Sequence, residues 1–347
     1  MTGLKSAFSA LTRFAASCRR FPTGRLRATL LVPVLGVAIV MALPRLAGAQ
    51  DYPTGPIKMT VGYGAGATTD LLARIVASDM SKILGQPIPV ENKPGANSAI
   101  AGRLIAQADA DGYNLLFGAS AMVSNIYGML DPGYKMSDFE VVGGHTFSPF
   151  VLVINSASSG AKTLADLIAY GKANPGKLTY ASLGPSSPAN LASQRLQALT
   201  GIGWSEVPFK GSADAVTALT AGTIDAYFSA PASVTSIKER PDLFVVATSG
   251  KQRVSSFPDV PTFLELGYEI TDDFSYGVLV RTGTPEPILQ KLRDAFAEAK
   301  RSPEARSKIE SAGLQVYEGT PEQYAAELGQ QGVVFEADFK KLGIEPQ

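Results

Sequence analysis

The sequence predicts an α/β fold with two lobes, each a mostly parallel sheet flanked by helices, joined by two crossings of the chain. The chain has 347 residues, which exceeds one ordinary domain and suits two lobes of roughly 100–150 residues each. Short apolar runs alternate with segments of helical periodicity, as in α/β proteins. Two longer apolar runs, 141–155 and 274–283, lie at the two ends of the second series of strands and helices and suit the two crossings.

The first 49 residues have the features of a secretory signal peptide. A basic stretch without Asp or Glu is followed by the apolar run ATLLVPVLGVAIVMALP. Pro33 interrupts this run, which is shorter than the roughly 20 residues that a membrane-spanning helix needs. Ala47-Gly48-Ala49 then matches an A-x-A cleavage pattern. We therefore expect cleavage near Ala49 and a periplasmic protein; an uncut signal anchor is the alternative.

The chain after this segment is acidic and lacks cysteine. The sequence has 31 basic and 31 acidic residues, and seven of the basic ones precede residue 50. That leaves 24 basic against 31 acidic residues, a net charge of −7. An acidic body without a basic stripe argues against nucleic acid as a partner. The single cysteine, Cys18, falls in the expected signal peptide, so we predict no disulfide in the exported part.

The first strand–helix unit has the clearest pattern. IKMTVGY (57–63) predicts a strand, GAGATTD a glycine-rich loop, and the apolar periodicity that follows a helix ended by Gly85. PIPVEN (87–92) and YNLLFG (113–118) predict the second and third strands, with a helix between them. Because the connections are short and such crossovers are right-handed, these strands should be parallel.

A second series of strands and helices follows the run 141–155. Strands are predicted at KLTYASLG, SEVPFKG, TIDAYFSA and LFVVATS. The run FSYGVLVRTG (274–283) then returns the chain to the first lobe, and the C-terminal tail is helical. We therefore predict a signal peptide at 1–49, lobe 1 at 50–152 plus 275–347, and lobe 2 at 153–274.

Candidate binding residues follow the predicted strands, at the sheet edge where α/β folds bind ligands. In the first loop, glycines allow the backbone to approach a ligand closely, and N–H groups at a helix start attract an anion. Thr68 and Thr69 add hydroxyl donors, and Asp70 can cap the helix. Further polar loops begin at Ser120 and Ser182, and others lie at 210–212 and Ser229, although each serine alone could equally be an N-cap.

The same first loop also fits a weak dinucleotide fingerprint. Gly62, Gly64 and Ala67 spell G-x-G-x-x-A, and Glu91 ends the next strand. The export signal opposes this interpretation, since nicotinamide cofactors are not expected outside the cytoplasm. His145 is the only histidine, a metal site needs several ligands, and no G-x-S-x-G elbow is present. We predict no enzyme activity, no cofactor and no metal, and we interpret His145 as structural.

Motifs along nearly the whole exported part resemble the substrate-binding proteins of tripartite tricarboxylate transporters, also called the Bug family. The matching segments, in chain order, are YPTGPIKMTVGYGAGATTDLLAR, PIPVENKPGANSAIAG, DGYNLLFGAS, ANPGKLTYAS, VPFKGSADAVTALTAGTIDAYF, FPDVPTFLELGY, YGVLVRTGTP and GTPEQYAAEL. The resemblance implies a type II periplasmic-binding-protein fold with a hinge. It also implies a small carboxylate held between the lobes and a membrane permease as partner. We expect a monomer.

The resemblance assigns roles to the strand-end loops. Loops 63–70 and 119–121 would hold one carboxylate, partly through bound water, and lobe 2 would determine specificity through 182–190, 210–212 and 228–230. The candidate ligand-binding residues are therefore Tyr63, Ala65, Gly66, Ala67, Thr68, Thr69, Asp70, Ser120, Ala121, Ser182, Ser186, Ser187, Asn190, Lys210, Gly211 and Ser229.

Several residues depart from the family pattern. Gly64 and Ala67 stand where Pro and a second Gly are usual, and Asn97 stands where a glycine is usual. Asn190 replaces a common His and Ser229 a common Asp, which changes the charge and hydrogen bonding of the pocket. An aromatic carboxylate is therefore as consistent with the sequence as a dicarboxylate or tricarboxylate.

The predicted function is capture of a small carboxylate by closure of the two lobes for a tripartite tricarboxylate-type transporter. An orphan ligand sensor would have the same cleft, and a neighbouring permease gene would discriminate the two. An exported dinucleotide-binding enzyme is the third alternative, for which the sequence offers no convergent nucleophile and base.

Overall fold

Two mixed β-sheets flanked by helices make up the fold in a computed structural model that describes residues 52–235, 239–271 and 273–347. The described residues belong to one compact unit. The expected signal peptide and its cleavage site lie outside them. No helix in the described part of the chain is both long and apolar enough to cross a membrane.

The strands follow the chain in the order β1 (Lys58–Val61), β2 (Val90–Asn92), β3 (Asn114–Ala119), β4 (Phe139–Pro149), β5 (Val151–Asn155), β6 (Leu178–Ser182), β7 (Trp204–Pro208), β8 (Ala226–Ser229), β9 (Leu243–Thr248), β10 (Asp273–Arg281) and β11 (Gln315–Val316). The helices are α1 (Thr68–Leu84), α2 (Ala99–Ala106), α3 (Ser120–Gly128), α4 (Leu164–Ala173), α5 (Pro188–Thr200), α6 (Ser212–Thr220), α7 (Pro231–Val234), α8 (Glu286–Lys300), α9 (Pro303–Ser311) and α10 (Pro321–Leu342). Short 3₁₀ turns lie at Ala96–Ser98 and Met136–Asp138.

The expectation of mostly parallel sheets needs correction. One sheet has six strands in the order β11-β4-β10-β3-β1-β2, and the other has five in the order β7-β6-β8-β5-β9. Only β1, β2 and β3 in the first sheet, and β6, β7 and β8 in the second, pair in parallel. The strands β4, β5 and β10 pair antiparallel with their neighbours. Their direction follows from the passage of the chain between sheets, not from a βαβ crossover.

The predicted long strand at 141–155 is two strands that belong to different sheets. Strand β4 ends at Pro149 in the six-stranded sheet, and β5 begins at Val151 in the five-stranded sheet. Phe150 lies between them. Apolar side chains continue through both strands because each is buried in its own sheet, so the change of sheet leaves no mark on the hydrophobic pattern.

The first helix forms as its sequence predicts. Leu72, Val76 and Met80 are buried on one face, which packs on β1, β2 and α8. The helix ends at Gly85, whose φ of 68° is left-handed and whose N–H reaches the Ser81 carbonyl oxygen at 3.0 Å. This packing fixes where the N-terminus of α1 lies relative to the sheet.

His145 lies in the core. Its ring is 1 % exposed and lies between the rings of Phe117 and Phe296, at centroid distances of 5.5 and 6.0 Å. Burial, with a smaller effect from the Lys300 charge, lowers the pKa of His145 to about 3. The imidazole is therefore neutral at physiological pH, as a structural role requires.

Candidate ligand-binding cleft

A cleft lies where strand ends of the two sheets face each other. Its cavity volume is only about 40 Å³, so it is narrow. The residues that line it are Tyr63, Ala67, Thr68, Thr69, Asn97, Phe150, Leu183, Ser187, Pro188, Ala189, Ser212, Tyr227, Phe228, Ala230, Phe274 and Tyr276. Five of the predicted binding residues are among them: Tyr63, Ala67, Thr68, Thr69 and Ser187.

The N-terminus of α1 forms one wall. Ala67 is the N-cap, and no side chain caps the first turn. Thr68 and Thr69 start the helix and are 6 % and 5 % exposed. First-turn N–H groups have no partner inside a helix, and the helix dipole places partial positive charge there. This wall can therefore donate hydrogen bonds to an anion.

Asp70 holds this wall in place from outside the cleft. Its carboxylate accepts the Gly66 N–H at 2.9 Å and the Asn92 amide at 2.9 Å, and it pairs with Arg74. It therefore anchors the preceding loop from the third helical position and does not act as the N-cap. Burial acts to raise the pKa of Asp70, but the bonds from Arg74, Gly66 and Asn92 outweigh burial and lower it.

Gly62 and Glu91 of the dinucleotide-like motif have structural contacts. A Cβ on Gly62 would collide with the side chain of Ser98, so glycine is needed for packing against the 96–98 turn. The Glu91 carboxylate lies 3.8 Å from Lys93 Nζ. The packing of Ser98 against Gly62 accounts for the glycine without a pyrophosphate.

The opposite wall consists of helix starts next to the five-stranded sheet. Ser187 caps α5 by accepting the Asn190 N–H at 3.1 Å, and Pro188 occupies the first helical position. Ser212 starts α6, and its Oγ accepts the Tyr227 hydroxyl at 3.1 Å. Hydroxyl groups here already have partners within the wall.

Six aromatic side chains form much of the lining. Of these, the sequence predicted Tyr63 as a binding residue and placed Phe228 in the specificity loop 228–230. Phe274 joins two of the others, with its ring centroid 6.1 Å from Phe150 and 4.7 Å from Tyr276. Phe228 stacks on Phe263 at 5.6 Å. Phe150 and Phe274 lie at the two crossings, and that position is the one signal in the sequence that could have placed them in the cleft.

Asn97 also lines the cleft and occupies an unusual backbone turn. Ala96, Asn97 and Ser98 have φ values of 47°, 47° and 72°, in the left-handed region that non-glycine residues rarely adopt. The Asn97 Oδ1 accepts the Tyr63 hydroxyl at 2.9 Å. Its amide donates to Asn125 Oδ1 at 3.0 Å. A strained turn next to a cleft is typical of a functional position.

Eleven of the predicted binding residues lie outside the lining. Ser120 is fully buried, with its Oγ bonded to the Ser275 N–H at 2.8 Å, and Ala121 is buried beside it. Ser182 forms a turn with the Gly184 N–H, and Asn190 accepts the Tyr180 hydroxyl. The remaining seven are Ala65, Gly66, Asp70, Ser186, Lys210, Gly211 and Ser229. Seven of the eleven are buried, Gly211 is partly buried, and Ala65, Gly66 and Lys210 are exposed.

The lining residues within the described ranges include no Asp, Glu, Lys, Arg or His. The three lining tyrosines stay neutral, since burial raises the pKa of Tyr63, Tyr227 and Tyr276, to about 12 for Tyr227. No group of three His, Cys, Asp or Glu side chains that could hold a metal occurs in the described part of the chain. Hydroxyl, amide and N–H groups are therefore the polar groups of this cleft.

The two lobes and the cleft between their strand ends define a periplasmic binding protein, and solved structures agree. The structure of the periplasmic binding protein BugD has a TM-score of 0.81 and 28% identity, covering 85% of this chain and 100% of that one. An R. palustris protein solved with adipate has a TM-score of 0.81 and 26% identity, covering 86% and 100%.

The family model described as the tripartite tricarboxylate transporter family receptor matches residues 72–336, and the chain belongs to this family. A UPF0065 protein from the gbd 5′ region of Cupriavidus necator is 34% identical over 313 residues, covering 89% of this chain and 93% of the relative. The resemblance inferred from the motifs is thereby confirmed, and the members of this family are solute-binding proteins, not enzymes.

Proposed function

We propose that this protein captures a small carboxylate in the periplasm and delivers it to a tripartite tricarboxylate-type transporter. The observation that carries the proposal is the start of α1. An N-terminus without a side-chain cap and two buried threonines face a cleft whose described lining includes no charged side chain. Such an N-terminus favours an anion. Family membership and the relative solved with adipate support the same ligand chemistry.

Binding would proceed by closure of two lobes, at 50–152 plus 275–347 and at 153–274, about Phe150 and Phe274. The carboxylate docks on the Thr68 and Thr69 hydroxyls and the N–H groups of the first turn of α1. Closure then removes water, which strengthens these charge-assisted bonds. Hydrogen bonds between the two sides support this account: Thr68 Oγ1 lies 2.8 Å from Ser233 Oγ, and Ser186 Oγ donates to Asn125 Oδ1 at 2.6 Å.

The proposed partner is a pair of membrane permease subunits, which would bind the closed form of a monomer. Closure brings surfaces of both lobes into one face, so a permease that contacts both lobes would distinguish the loaded protein from the empty one. A pull-down of permease subunits that strengthens when carboxylate is added would support this step.

A thermal-shift screen of residues 50–347 against aliphatic and aromatic carboxylates tests the ligand class. A ligand at a hundredfold excess over its dissociation constant adds about 2.7 kcal/mol of stability. We expect Thr69→Val to reduce the shift, because it removes a hydroxyl from the cleft wall. Thr223→Val is the matched control, since Thr223 is exposed and its hydroxyl donates to the Ala218 carbonyl oxygen, away from the cleft lining. A shift with NAD and none with any carboxylate would contradict the proposal.

A further inference from the structure

We infer that the ligand is an aromatic monocarboxylate, a single carboxylate on a flat ring with no second charged group. This inference rests on the proposed function and specifies its substrate class. Three features of the cleft lead to this inference. Its described lining has no charged side chains, the N–H donors at the start of α5 in its second wall are missing or already bonded, and six aromatic rings line it.

The charge of the lining limits the ligand to one carboxylate. Among the described residues, no cationic side chain lines the cleft: Arg74 pairs with Asp70, and Lys210 is exposed to solvent. A second carboxylate would therefore find no cationic partner in the described lining. Burying an unpaired carboxylate is strongly unfavourable. One carboxylate can be accommodated at the α1 N-terminus, where backbone donors replace a cation.

The second wall is a weaker anion site than the first. Pro188 has no N–H, and the Asn190 N–H is already bonded to Ser187 Oγ, so two donors of the first turn of α5 are unavailable. Like α1, α6 starts without a side-chain cap, and the first turn of each helix carries an Asp. Arg74 balances the charge of Asp70 in α1, so Asp214 opposes an anion at α6 more strongly than Asp70 does at α1. This wall therefore suits a neutral part of the ligand.

The aromatic rings match a flat apolar body. Phe150, Phe274 and Tyr276 form a continuous cluster with centroid spacings of 6.1 and 4.7 Å, and Tyr63, Tyr227 and Phe228 extend the aromatic surface. Aromatic rings pack favourably edge-to-face or offset on such groups, beyond the gain from buried area alone. The narrow space between the walls also favours a ring over a bulky saturated body.

Calorimetric titration of residues 50–347 with three probes tests the inference. Benzoate has the ring and one carboxylate, cyclohexanecarboxylate has one carboxylate on a saturated ring, and adipate has two carboxylates on a chain. We expect benzoate to bind about tenfold more tightly than either of the others. Equal or tighter binding of adipate or cyclohexanecarboxylate would overturn the inference and leave the proposed function standing. No binding of any probe would overturn both.

A pair of variants connects the preference to the aromatic cluster. Phe274→Leu should remove most of the preference for benzoate over cyclohexanecarboxylate. Phe209→Leu, at a half-buried aromatic outside the lining, should preserve it. An unchanged preference in a folded Phe274→Leu protein would contradict the role of the rings. If that variant does not fold, the three-probe comparison on the unaltered chain still decides the inference.

Discussion

The Asn97 side chain donates from Nδ2 to the Ser186 carbonyl oxygen at 3.3 Å, which links the turn after β2 to the loop after β6. The two residues belong to opposite sides of the cleft. The same Asn97 amide group also accepts the Tyr63 hydroxyl, so one side chain connects a cleft wall with the contact between the two sides. The contact between the two sides and the shape of the cleft therefore depend on a common residue.

Replacing Asn97 separates backbone strain from hydrogen bonding. Asn97→Gly and Asn97→Ala both lose the bonds to Tyr63 and Ser186, so both should bind ligand more weakly. Only alanine retains a Cβ at φ 47°. We therefore expect Asn97→Gly to be more stable than Asn97→Ala by about 1 kcal/mol in urea unfolding. Equal stability of the two variants would show that the turn is not strained.

Asp70 should affect binding although it does not touch the cleft. Asp70→Ala removes the acceptor of the Gly66 N–H and one of the two acceptors of the Asn92 amide, which loosens the loop before α1. We expect a loss of about 1–3 kcal/mol in unfolding free energy and weaker ligand binding. Asp79→Ala is the control, since its ion pair with Lys82 lies on the surface of the same helix. Similar losses in both variants would contradict a specific role for Asp70.

The ion pair between Arg195 and Asp338 should stabilise the closed form. It joins α5, which packs on the five-stranded sheet, to α10, which packs on β4 and α3. Asp338→Asn should weaken ligand binding about fivefold, a cost of about 1 kcal/mol. Glu336→Gln, which breaks an exposed pair with Lys340 on the same helix, should leave the affinity unchanged. Unaltered affinity in Asp338→Asn, measured by calorimetry, would refute this role.

His145 should make stability depend on pH. Because its folded pKa is lowered to about 3 from a usual value of 6.5, the unfolded state binds the proton first. The contribution of the neutral His145 to the free energy of unfolding is complete above pH 6.5. It is lost as the pH falls towards 3, at up to about 1.4 kcal/mol per pH unit. His145→Leu should lack this component. Urea unfolding of both proteins at pH 7, 6, 5 and 4 measures the difference, and parallel curves would contradict the assignment.

The sequence predicted the parts of the site that depend on local pattern. The glycine loop, the start of α1 and the threonines follow from a strand, a turn and an amphipathic helix in succession. The N-cap role of Ser187 was also accessible, because serine before proline at a helix start is a local signal. These features need no knowledge of how distant segments pack.

The aromatic lining and the buried serines depend on distant packing. Phe150 faces the cleft because β4 and β5 belong to different sheets, and an unbroken apolar run does not reveal that boundary. Ser120 is held inside because β10 pairs with β3 and brings Ser275 next to it. A hydroxyl at a strand end looks the same in the sequence whether a ligand or another strand becomes its partner.

Calorimetric titration of residues 50–347 with the carboxylate that gives the largest thermal shift measures whether the α1 N-terminus receives the ligand. We expect saturable binding of one carboxylate per chain, weakened in Thr69→Val and retained in Thr223→Val. Absence of saturable binding by every carboxylate tried, or binding that is indifferent to Thr69, would contradict the claim that the α1 N-terminus receives the ligand.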